Sequence, residues 1–167
     1  YEVFVALYVL PAALLAAGEH DLLRDLLEHS LIGVALTDET IRAGLATVFN
    51  AFGWKTEDGH CHATLDTILL IVRGLFALVE EDTDASRAAL REWLPPPAEL
   101  LRIAEYECIW RTSCVGANNP ALLLARLHGE RLGEWALAVV TADGVLRIEH
   151  FNPLLRTEAF RLLARAQ

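Results

Sequence analysis

The sequence predicts a mainly α protein: a helical bundle around a hydrophobic central helix, with a small C-terminal β-hairpin, in a single domain spanning residues 1–167. Three observations predict it. The stretch Ala63 to Val79, ATLDTILLIVRGLFALV, is apolar on nearly every helical face and carries only Asp66 and Arg73 as charges. A surface helix keeps a polar stripe, whereas one that is hydrophobic all round belongs inside a bundle. On both sides of it, apolar residues recur at three- and four-residue spacing between capping and stop signals, the amphipathic helix pattern. Near the C-terminus, Ala142-Asp143-Gly144 separates two β-like runs, which is a hairpin signal.

The first element is the uncharged run Val3 to Gly18. It is too short for a bilayer-spanning helix, and no basic segment precedes it as in a signal peptide. It reads as a buried structural element rather than a membrane-associated or partner-facing one. Residues 2–9, EVFVALYV, mix β-branched and aromatic side chains and fit either a strand or a helical turn. Pro11 suits the first turn of a following helix, and Gly18 suits its stop. Asp21 then opens DLLRDLLEH, with Leu22, Leu23, Leu26 and Leu27 on one face.

A cleaner helix is predicted from Asp38 to Phe52. Thr37 or Asp38 can cap it, Ile41, Leu45, Val48, Phe49 and Phe52 recur at helical spacing, and Gly53 ends it. Trp54 to His62 is a polar turn before the central helix, whose acidic exit is Glu80 to Asp84. Asp84 to Leu94 forms a short helix with Leu90, Trp93 and Leu94 inward. Pro95, Pro96 and Pro97 stop it and make a stiff corner. Residues 98–112 return to a helix with Leu101, Ala104, Cys108 and Ile109 on one side. Asn119 caps the next helix, with Pro120 in its first turn and Leu122 to Leu127 behind.

The predicted hairpin pairs Trp135–Val140 with Val145–His150. Two strands alone are marginal in water, and EVFVALYV is the candidate for a third. Asn152-Pro153 opens a last amphipathic helix through Leu155, Phe160, Leu162 and Leu163.

Composition narrows the function classes. Hydrophobic residues make up 54% of the chain, which implies either a well-filled core or apolar surface reserved for a partner. A net charge of −9 with no basic cluster argues against nucleic acid and against an anionic membrane surface. Three cysteines make no disulfide set and point to a reducing, intracellular and cytoplasmic setting. The absence of any Met suggests a domain excised from a longer chain.

Candidate chemistry is sparse. His60-Cys61-His62, together with Cys108 and Cys114, supplies zinc-capable side chains, yet five residues separate the two later thiols and adjacent His60 and Cys61 chelate poorly. No metal and no cofactor is assigned. Cys114 sits near a chain break, where a helix N-terminus would lower its pKa, and His128 or His150 would be the base of a thiol enzyme. Asp66 and Arg73 lie two turns apart on one side of the central helix, too far to pair with each other, so each is expected to reach solvent, a helix end or another helix. Trp54, Trp93 and Trp110 are candidate partner-binding anchors.

These observations favour a non-catalytic regulatory or adaptor domain that binds a protein partner, or a second copy of itself, through an apolar groove or face. The alternatives are a small-molecule sensor or carrier with an apolar pocket and a thiol enzyme using Cys114 with His128 or His150.

Overall fold

A computed structural model describes residues 10–52, 65–108, 120–148 and 153–167, and every regular element among them is helical. Helix α1 (Leu10–Ala17) has Pro11 in its first turn and ends at Gly18, whose φ of +75° lets the Gly18 and Glu19 N–H groups turn back onto the Leu15 and Leu14 carbonyls. Helix α2 (His20–His29) buries Leu23 and Leu27 but leaves Leu22 exposed and Leu26 half-buried, a narrower stripe than its four leucines suggest. Helix α3 (Leu31–Val34) is a single turn capped by Ser30, whose hydroxyl accepts from the Gly33 N–H at 2.9 Å.

Helix α4 (Glu39–Phe52) starts at the predicted cap: the Asp38 carboxylate accepts from the Thr40 and Ile41 N–H groups at 2.8 and 3.1 Å. The central helix is α5 (Leu65–Val79). Leu65, Ile68, Leu69, Ile71, Val72, Leu75, Ala77 and Val79 are buried. Asp66 and Arg73 lie on its one wet edge with Leu70 half-buried between them, so the two charges stay out of the core. Its C-terminal carbonyls are met by cations: Arg24 of α2 donates to the Val79 oxygen at 2.6 Å and Arg131 to the Glu80 oxygen at 2.7 Å. Positive side chains at a helix C-terminus satisfy both the free carbonyls and the dipole.

Helix α6 (Asp84–Trp93) opens with a reciprocal Thr83–Ser86 capping box. The proline corner then delivers Pro97 as the first residue of α7 (Pro97–Cys108), where Leu100 and Ala104 are buried and Leu101 is half-buried. Helix α8 (Pro120–Arg126) is buried along nearly its whole length and runs into a π-turn, Leu127–Arg131. Helices α9 (Trp135–Leu146) and α10 (Pro153–Arg165) complete the described chain.

The core has two lobes. Leu23, Leu27, Ile32 and Ala35 pack on one side of α5, and Leu90, Leu100, Leu124, Leu127, Ala138, Val145 and Leu162 form the other cluster. The seam is the α5–α8 contact, where Ala77 of α5 joins the second lobe and Leu123 of α8 joins the first. Gly74 makes that approach possible, since a Cβ there would lie 2.9 Å from Leu124 Cδ2.

The C-terminal hairpin does not exist. Trp135 to Leu146 is one helix, and Asp143-Gly144 falls inside its last turn. The winning pattern is the small-residue stripe Ala138, Thr141, Ala142 and Val145, all buried, at spacings of three, one and three. Gly144 serves close packing rather than a turn: a Cβ on it would lie 2.5 Å from Leu101 Cδ2. The supposed third strand, residues 2–9, falls outside the described residues. Phe160 also differs from expectation. Ala159 and Leu162 face the core on α10, and Phe160 is 58% exposed.

Candidate functional site

Among the described residues the buried ionisable side chain is His128, in the π-turn. Its ring is 5% exposed. Nδ1 lies 3.0 Å from Glu134 Oε2, and Nε2 lies 3.0 Å from the Pro95 carbonyl oxygen. The hydrogen bond from His128 holds the Glu134 carboxyl below the usual carboxylate range; burial opposes this, and Arg91 of α6 assists through Oε1 at 3.3 Å. Each ring nitrogen of His128 thus faces an oxygen, a carboxylate on one side and a backbone carbonyl on the other.

Local sequence explains this placement. The proline corner after α6 leaves the Pro95 carbonyl outside any helix, the π-turn swings His128 inward, and Glu134 sits at the start of α9 with its side chain turned to His128 rather than to the helix amides. Gly129 completes the turn, since a Cβ there would lie 2.5 Å from the Trp135 ring. One imidazole ring therefore ties the α6–α7 corner, the π-turn and the start of α9.

That arrangement bears on the thiol-enzyme alternative. Both ring nitrogens of His128 are already engaged within the fold, at 3.0 Å from Glu134 and from the Pro95 carbonyl. Cys114 and His150 lie outside the described residues, as do Cys61 and His62, and the side chain of Cys108 is likewise outside what the structure describes. Among the described residues no group of three or more His, Cys, Asp or Glu side chains is placed to hold a metal ion. Of the tryptophan anchors, Trp54 and Trp110 fall outside the described residues. Trp93 is half-buried, and the Arg73 guanidinium sits 5.4 Å from its ring centroid, so one face of the indole is occupied from within.

The apolar surface is better defined. Among residues whose side chains are described, none on α4 is buried. Ile41, Leu45 and Phe49 rest half-covered against the N-terminal lobe, and Val48 is 49% exposed. A small groove beside it, between α5 and the α3–α4 segment, has Leu36, Leu69 and Leu70 as its floor and Arg42, Asp66 and Arg73 at its rim. Among the described residues no helix is long and apolar enough to cross a membrane. Compared with protein-family models, with curated proteins and with solved structures, the chain matches none.

Sequence reasoning missed the His128–Glu134–Pro95 tie. The only local signal was Glu134 six residues after His128 beside Gly133, and their meeting depends on the proline corner 33 residues upstream.

Proposed function

We propose that this helical domain is a regulatory or adaptor module that acts by binding a protein, another chain or a second copy of itself, and not by catalysis. The observation that supports it is α4: a well-capped amphipathic helix whose apolar residues lie at helical spacing yet remain half-covered or exposed. Apolar area left in water is stabilising when covered, by roughly 25 cal/mol per Å², and an exposed helix face is a common seat for a partner helix. The burial of His128 between Glu134 and the Pro95 carbonyl also fits a structural rather than a catalytic use of that side chain.

The test places the photocrosslinking residue p-benzoylphenylalanine at Val48, with the exposed position Arg102 as control. Irradiation in the native cell is expected to give a discrete protein adduct from position 48 alone, and its mass separates self-association from a different partner. A chain that stays free at position 48, with its fold intact by circular dichroism, would refute the proposal.

A further inference from the structure

A cleft of about 370 Å³ opens between α1 and α10, within the size range of small-ligand sites. Its two walls differ in chemistry. Ala12, Leu15 and Ala16 lie at helical spacing on α1 and make an apolar wall with small residues at both ends. The opposite wall is α10, where Leu162 is flanked by Arg161 and Arg165, with Arg126 of α8 beside them. In a chain of net charge −9, this gathers three guanidiniums at one opening.

The internal carboxylates do not exhaust those cations. Glu130 is shared, accepting from Arg126 Nε and Nη2 at 3.2 Å each and also from Arg165. Glu158 accepts from Arg161 at 2.6 Å. Among the described residues two carboxylates thus face three guanidiniums, one positive charge more than they balance. Toward the described residues Arg161 and Arg165 each use one N–H of the five a guanidinium offers, and they stand one turn apart on the same face, 68% and 58% exposed. Paired forks of this kind suit a planar oxyanion.

We propose that the cleft is a binding site for a small amphipathic anion: a single carboxylate or sulfonate head held by Arg161 and Arg165, with a short apolar tail laid along Ala12, Leu15 and Leu162. The site shares no residue with the α4 face, so it stands or falls independently of the protein-binding reading.

The test is calorimetric titration of the whole chain with decanoate below its micelle concentration, alongside decanol, acetate and vesicles of anionic phospholipid. Saturable one-to-one binding of decanoate is expected, with decanol and acetate each at least about tenfold weaker, because each lacks one half of the match. Arg161→Glu and Arg165→Glu are expected to weaken decanoate by a similar factor at unchanged melting temperature. Arg161 gives up only the Glu158 contact, so it decides the matter if the Arg165 variant fails to fold. Equal binding of decanol, equal binding by Arg161→Glu, or binding to vesicles without binding to free decanoate would each overturn the proposal.

Discussion

Replacing His128 with Leu removes the tie at the centre of the described ionic network while keeping side-chain bulk. Two hydrogen-bond contacts of the imidazole ring are lost, one with the Glu134 carboxylate and one with the Pro95 carbonyl oxygen. A hydrogen bond to a charged group is worth about 1.5–3 kcal/mol and one to a neutral carbonyl about 0.5–1.5 kcal/mol. The Glu134 side chain is 34% exposed and retains Arg91, so solvent and that guanidinium recover part of the loss. A net cost of about 2–3 kcal/mol follows, and in a chain of this size it lowers the melting temperature by about 4–12 °C. The pH dependence has a definite sign. Glu134 has a depressed carboxyl pKa in the fold, so its contribution is fully present above the ordinary Glu range and is lost as pH falls through the lower folded value. The gap between wild type and His128→Leu should therefore be wide near neutrality and shrink on acidification below the usual carboxylate range. Thermal melts monitored by circular dichroism across that window measure it. A His128→Leu chain within about 0.5 kcal/mol of wild type at neutral pH would refute the reasoning, as would strict additivity with Glu134→Gln, since two residues sharing a bond must couple.

Other substitutions probe the remaining elements. Ile71→Asp, at a position 3% exposed, is expected to unfold the domain, whereas Leu70→Asp on the wet edge of α5 should cost far less, as urea melts of the two would show. Gly33→Ala should destabilise by more than about 3 kcal/mol, because a Cβ there would land on the Leu27 carbonyl oxygen, a backbone atom that cannot step aside. Asp38→Ala should cost about 1 kcal/mol through the lost α4 cap, and hydrogen exchange should quicken first at the Thr40 and Ile41 amides.

Where local chemistry decides structure, the sequence was legible. Pro11, Gly18, Asp38, the three prolines and the apolar run to Val79 each act within a few residues, and the corresponding starts, stops and buried stretch are found where those signals lie. The C-terminal error has an equally specific cause. Asp143-Gly144 is a turn signal only if nothing else claims the glycine, and Leu101 claims it by packing where a Cβ would stand. Val139 and Val140 are β-branched, but strand propensity is weak against a buried helical stripe of Ala138, Thr141, Ala142 and Val145. A small-residue stripe is easily read as featureless, because its value lies in the close approach it permits rather than in apolar area.

The same logic explains the arginine content. Five of the described arginines tie one part of the fold to another: Arg24 and Arg131 on the carbonyls that end α5, Arg42 on the Ala35 and Leu36 carbonyls after α3, Arg91 on Glu134, and Arg73 on the Trp93 ring. A planar fork with several donors can bridge elements in this way, whereas an ammonium offers no matching geometry. This also makes sense of the absence of a basic cluster in the sequence, since residues dispersed to cap helix ends do not build a phosphate-binding surface. Arg161 and Arg165 are placed differently from those five. They sit one turn apart and border an apolar wall, so their exposed guanidiniums face a cleft.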